Sequence, residues 1–176
     1  FRTPVSTVTL YYNFSAAPTI DYHDDSLHIN DYGLSTSENI FAYGWQLTDG
    51  TPQNVAAFAR REDAKTINSS IPLKHEDQHF KWNLPLPNGH YRVKLSAGNS
   101  SLNLPTNYKV NIENTLVLDA QSTSTNFLVE SEFTTVEVTD GSLTISSADP
   151  TLENHICALE ISIQTNQQAS FSFQPA

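Results

Sequence analysis

Several side chains in this sequence suit the grip of a polar, ring-shaped ligand: Tyr43, Trp45, Arg60, Arg61, His75 and Trp82. A sugar presents CH faces and hydroxyl edges. A protein that binds one stacks an aromatic ring on the CH face and aims forked donors or carboxylates at the hydroxyls. Arg60, Arg61 and His75 supply donors, and Asp21, Asp24 and Asp31 supply acceptors. Trp82 alternates strictly with Phe80 and Leu84, so its ring is expected in a core. Tyr43 and Trp45 suit core packing about as well as a binding surface. Trp45 follows Gly44 and precedes an Asp49-Gly50 turn, a strand-end position where a ring can lie in a loop-lined groove. On that ground Tyr43 and Trp45 are expected to form the stacking platform.

Other chemistries find less support. The glycines do not make a phosphate-binding fingerprint, and no Gly-x-Ser-x-Gly elbow occurs. His23 and His28 fall in an irregular stretch, and His75 and His79 lack a helix to align them, so no transition-metal site is expected. Asp24, Asp25 and Asp31 with Asn30 have the oxygen chemistry for calcium, but a solvated acidic loop accounts for them better, and no cofactor is required. The single cysteine, Cys157, excludes a disulfide within the chain. It alternates in step with Leu159, Ile161 and Ile163 and reads as a buried, inert thiol rather than a nucleophile. Asn13-Phe14-Ser15, Asn68-Ser69-Ser70 and Asn99-Ser100-Ser101 match the glycosylation sequon, which matters only in a eukaryotic secreted protein.

These residues must be positioned by strands. The stretch 80–99, FKWNLPLPNGHYRVKLSAGN, alternates Phe80, Trp82 and Leu84 with polar residues, breaks at Pro85, Pro87, Asn88 and Gly89, and resumes with Tyr91, Val93 and Leu95. It reads as a hairpin closed by an Asn-Gly turn, and Gly98-Asn99 as a further turn. A helical period of 3.6 would scatter those apolar residues around the cylinder. Further strands are expected at 8–14, 40–47, 108–112, 116–118, 126–129, 133–139, 143–145 and 155–163, with a second hairpin turn at Asp140-Gly141. Stretch 55–61 suits a short strand or one helical turn, and 72–77 a polar connector. Residues 15–37 hold no period and read as a long ordered loop, the kind that often carries function. A short strand is expected at 169–173. No segment shows a convincing amphipathic helix. The expected fold is all-β, an antiparallel β-sandwich of jelly-roll type, with 1–176 as a single domain.

The 176 residues suit one domain with a sizeable core, and the formal net charge of -10 disfavours nucleic acid and anionic membranes as partners. No apolar stretch approaches the ~20 residues of a membrane-spanning helix. Residues 1–10 lack the basic start and apolar core of a signal peptide.

A combination of short motifs resembles a known family. Tyr43-Gly44-Trp45, Phe58-Ala59-Arg60-Arg61-Glu62-Asp63, the segment 82–95 with its Pro-Asn-Gly turn, Tyr108-Lys109-Val110-Asn111-Ile112-Glu113, Leu116-Val117-Leu118, the segment 136–145 with its Asp-Gly turn, and Ala158-Leu159-Glu160-Ile161 occur in that order. Together they look like the malectin-like, galactose-binding-like β-sandwich modules, over nearly the whole chain. The resemblance implies a jelly roll, extracellular placement and carbohydrate binding without catalysis, with His75 matching the family's histidine before the tryptophan strand. Phe-Ala-Arg-Arg-Glu-Asp replaces the family's Thr-Arg-Asp-Arg-like segment, and Gly98-Asn99-Ser100 its Gly-Asp-Pro. These departures bear on the ligand more than on the fold.

The expected function is that of a secreted lectin or carbohydrate-binding module. Tyr43 and Trp45 stack, Arg60, Arg61 and His75 donate, and Asp24 or Asp31 accept. Monovalent affinity would be about micromolar to millimolar, with oligomerisation supplying avidity. One alternative is a polysaccharide lyase with Tyr43 and His75 as acid and base and Arg60 against a uronate. The other is a structural or adhesion module without a small ligand.

Overall fold

The structure, a computed structural model, describes residues 7–14, 27–31, 43–55, 58–59, 69–99 and 105–164. These residues form two packed sheets, a β-sandwich, and none of them is helical. The first sheet holds β1 (Thr7–Phe14), β2 (Leu27–Asp31), β4 (Phe58–Ala59), β5 (Ser69–Pro72), β8 (Gly89–Gly98), β11 (Leu128–Glu130), β12 (Thr134–Val138) and β14 (His155–Gln164). The second holds β3 (Gly44–Leu47), β6 (Lys74–His75), β7 (Gln78–Pro85), β9 (Asn107–Ile112), β10 (Thr115–Gln121) and β13 (Ser142–Ser147). In the first sheet the order runs β11, β8, β14, β1, β2, with β12 following β11 along the edge of β8. In the second it runs β10, β9, β13, β7, β3. Every pairing is antiparallel except that of β1 with β2, which is parallel.

The period-two pattern places side chains where it should. Phe80, Trp82 and Leu84 of β7 and Tyr91, Val93 and Leu95 of β8 are all buried, while the residues between them are half-buried or exposed. The expected hairpin at 80–99 does not form. β7 pairs with β13 and β3 in one sheet, and β8 pairs with β14, β11 and β12 in the other. The Pro85–Gly89 segment therefore carries the chain across the sandwich. The Asp140-Gly141 turn does the same between β12 and β13. Alternation fixes which face of a strand is apolar, and an apolar face looks inward from either sheet.

Two other expectations change. The stretch 15–37 contains β2, held parallel to β1 with Leu10 opposite Leu27 and Phe14 opposite Asp31, so backbone pairing overrides its irregular sequence. The 72–77 connector buries Leu73 and folds into a small hairpin, with Lys74 opposite His79 and His75 opposite Gln78. Stretch 55–61 contributes the two-residue β4. The expected strand at 169–173 lies outside the described residues.

The core is closed by aromatic contacts between the sheets. Trp82 meets Tyr12 edge-on at 5.0 Å between ring centroids and Phe14 at 5.2 Å. Such edge-to-face pairs add about 0.5–1.5 kcal/mol beyond the area they bury. Gly98 ends β8 rather than forming a free turn. A Cβ there would run into the Phe127 backbone carbonyl, which explains glycine where β11 begins to pair with β8.

Candidate functional site

The platform expected from Tyr43 and Trp45 is not on the surface. Trp45 is 0% exposed and Tyr43 7%. Trp45 faces Phe14 across the sandwich at 5.8 Å, and Tyr43 packs edge-on against Tyr12 at 5.5 Å. Both rings are core. Gly44 left the side-chain direction open in the sequence, but register puts Trp45 opposite Trp82, on the same inner face. His75 is exposed at the tip of the β6–β7 hairpin, where Glu76 takes a left-handed φ of 53°. β3 and β7 separate it from Tyr43: Gly44 is opposite Asn83 and His75 opposite Gln78, about 17 Å apart along β7 at ~3.4 Å per residue. The Tyr43–His75 acid–base pair of the lyase alternative is therefore not assembled. Arg60, Arg61, Asp21, Asp24 and Asp25 lie outside the described residues, and Asp31 is placed by its backbone at the end of β2.

A surface site lies elsewhere, on the outer face of the first sheet. There Tyr11 of β1, Ala158 and Glu160 of β14, Lys94 and Ser96 of β8, and Glu130 of β11 line a shallow depression open to solvent. It encloses little more than a water or two, so a ligand here would lie across the open face and not inside a pocket. Strand register builds it: Tyr11 is opposite Glu160, Glu160 is opposite Lys94, Ala158 is opposite Ser96, and Ser96 is opposite Glu130. The small side chains Ala158 and Ser96 make the floor, and the longer ones the wall. Lys94 Nζ lies 3.2 Å from Glu130 Oε2, and Ser96 Oγ donates to Glu130 Oε1 at 3.1 Å. Each Glu130 oxygen thus has a protein partner. The ion pair is solvent-accessible, with Lys94 and Glu130 side chains 31% and 48% exposed, and such pairs add only about 0–1 kcal/mol to stability. Its groups can therefore turn toward a ligand at little cost to the fold.

The face brings together an aromatic side chain, two carboxylates as acceptors, and ammonium and hydroxyl donors. The sequence shows Lys94, Ser96, Ala158 and Glu160 as the outer half of their strand patterns, Tyr11 within an aromatic run, and Glu130 just past the expected strand 126–129. Nothing local signals that positions 11, 94, 130 and 160 meet, because sheet order brings them together.

A second polar group is buried. His155, 4% exposed, has Ser70 Oγ 3.2 Å from Nδ1 and Asn99 Nδ2 3.3 Å from Nε2. Asn99 donates to Nε2, so the proton sits on Nδ1 and is given to Ser70, which leaves a neutral ring. Burial lowers the His155 pKa from 6.5 to about 4. Ser70 is 4% exposed, so this serine–histidine contact is a structural tie between β5 and β14 and not a nucleophile open to substrate. Cys157 is buried as expected and donates to the Gly98 carbonyl at 3.4 Å. A register shift between Ile156 and Ala158 turns Ile156 into the apolar core, while Cys157 stays outside that cluster.

The sequence matches no family model and no curated protein. Among solved structures it is similar to the protein YXIM of Bacillus subtilis, with a TM-score of 0.52 and 19% identity over 89% of this chain. The chain spans 39% of the length of that protein. At this identity the likeness is one of fold alone. A family 35 carbohydrate-binding module from Clostridium thermocellum aligns with a TM-score of 0.39 and 13% identity, covering 62% of this chain and 88% of that one. A complex of the plant peptide RALF23 with FER and LLG2 aligns at 0.48 and 15%, covering 92% of this chain and 40% of that one. No described helix is long and apolar enough to cross a membrane.

Proposed function

We propose that this β-sandwich is a non-catalytic glycan-binding module that works outside the cell. The observation that carries the reading is the outer-face depression, where Tyr11 stands beside Glu130 held by Lys94 and Ser96. The motif resemblance to malectin-like modules supports the same ligand class and the extracellular placement. Tyr43 and Trp45 leave the site because their rings are core. His75 belongs to the second sheet, away from the depression, and is not used in this reading, while Arg60, Arg61 and Asp24 lie outside the described residues. Solvent-facing sites of this kind bind single sugars weakly, about millimolar to micromolar, so repeated copies or several contacts supply useful avidity.

The test is a broad glycan array probed with the wild type and with Tyr11→Ala. The reading expects retention of a defined glycan class by the wild type and its loss in the variant. A wild type that retains no glycan contradicts it. Release of unsaturated uronate products, followed by absorbance, would contradict the absence of catalysis.

A further inference from the structure

The outer face of the first sheet carries a second partly exposed aromatic side chain. Phe133, between β11 and β12, is 40% exposed, and the Arg92 guanidinium carbon lies 4.9 Å from the centre of its ring. Arg92 points to the same face as Lys94 and Ser96, since Tyr91, Val93 and Leu95 between them are buried. Arg92 is opposite Ser162 of β14 on one side and Thr135 of β12 on the other. Arg92 holds the Phe133 ring in place, and its exposed part suits contact with an apolar CH surface.

Tyr11 and Phe133 are set apart by the width of the sheet. From β1 through β14 and β8 to the β11–β12 edge there are three steps, about 14 Å at ~4.8 Å per step. That is too far for one pyranose ring to touch both. Across the strands between them lie Glu160 and Lys94, with Glu130 beside Lys94 on one side and Arg92 at the Phe133 ring. The depression itself is lined by one cation and two carboxylates, and the whole chain carries a net charge of -10. With Arg92 the track holds as many cations as carboxylates, so it offers a polyanionic chain no net attraction to offset that charge.

Resting on the glycan-binding reading above, the geometry points to a neutral oligosaccharide chain, and not a terminal monosaccharide, as the ligand. The chain runs across the strands. Tyr11 takes one sugar at the depression and the Phe133–Arg92 pair takes another at the β11–β12 edge, with the hydroxyls between them facing Glu160, Lys94 and Glu130.

The experiment is calorimetric titration with ladders of one to six residues from neutral β-glucan, xylan and galactan, and with a matching oligogalacturonide ladder. Wild type, Tyr11→Ala and Phe133→Ala are compared, with urea midpoints confirming that both variants fold. The expected result is affinity for a neutral ladder that rises about ten-fold or more between one residue and three or four. Phe133→Ala removes that rise and leaves the monosaccharide affinity intact, and Tyr11→Ala weakens every length. Affinity independent of length, or a rise that survives Phe133→Ala, overturns the chain assignment and leaves glycan binding standing. Preference for the oligogalacturonide overturns the neutral ligand. No binding of any ladder by the wild type defeats both the chain assignment and the glycan reading.

Discussion

The side chain of Asn88 accepts a hydrogen bond from the backbone N–H of Gly141 at 2.8 Å, which locks together the two places where the chain crosses between sheets. The same side chain donates to the Thr139 carbonyl at 2.8 Å, and Leu86 N–H donates to the Gly141 carbonyl at 3.0 Å. Gly141 takes a left-handed φ of 83°, which suits glycine at this bend. Asn88→Ala should lower stability by about 1–2 kcal/mol, since two side-chain hydrogen bonds are lost at an exposed position. Asn88→Asp keeps the acceptor but cannot donate to Thr139, so it should lie between wild type and alanine. Urea midpoints of the three proteins check this order.

Trp45→Ala and Trp82→Ala should each cost about 3–5 kcal/mol, because both rings are fully buried between the sheets. Urea denaturation of the two variants is the measurement. A Trp45→Ala midpoint equal to that of the wild type would mean that its ring is not in the core.

His155 makes stability depend on pH in a defined window. Its folded pKa of about 4 lies below the ordinary 6.5, so the unfolded chain takes up the proton first as pH falls. The stability that it contributes is complete above about pH 6.5 and is lost progressively toward pH 4, about 3 kcal/mol in all. Glu113 acts in the opposite sense, because burial raises its pKa and favours the folded state as it protonates. Asp49 and Asp149, lowered by hydrogen bonds from Thr51 and Thr151, lose their contribution as pH falls through and below the usual carboxylate range. Urea midpoints between pH 4 and 8 should fall on the acid side, and His155→Gln should flatten the part between 6.5 and 4.

Two of the three sequons are closed off in the folded chain. Asn13 is 4% exposed in β1, and Asn99 is 7% exposed with its amide on His155. Expressed through a eukaryotic secretory route, the folded protein should carry no glycan at either position, and peptide mass spectrometry reads this directly. Asn68 lies outside the described residues.

The strand faces were legible because period two is local: Phe80, Trp82 and Leu84 sort themselves from Lys81 and Asn83 without knowledge of any partner. Strand partners were not. Pro-Asn-Gly and Asp-Gly bend the chain equally well within a sheet or between sheets, and inward-facing parity is the same in both. Trp45 was misplaced for a related reason. A glycine neighbour and a nearby turn allow exposure, but Phe14, thirty-one residues earlier, decides that the ring is covered. The depression was hidden in the outer halves of strands. Lys94 and Glu160 look like ordinary solvent-facing residues until β1, β14 and β8 are set side by side.

The central claim is that the outer face of the first sheet holds the ligand. The most direct measurement is an amide NMR titration of the isotope-labelled protein with neutral oligosaccharides of the glucan, xylan and galactan ladders. The account predicts saturable shifts centred on Tyr11, Lys94, Ser96, Glu130, Ala158 and Glu160, with little change in the β6–β7 hairpin around His75. Shifts confined to that hairpin, or no shifts with any of these sugars, would contradict it.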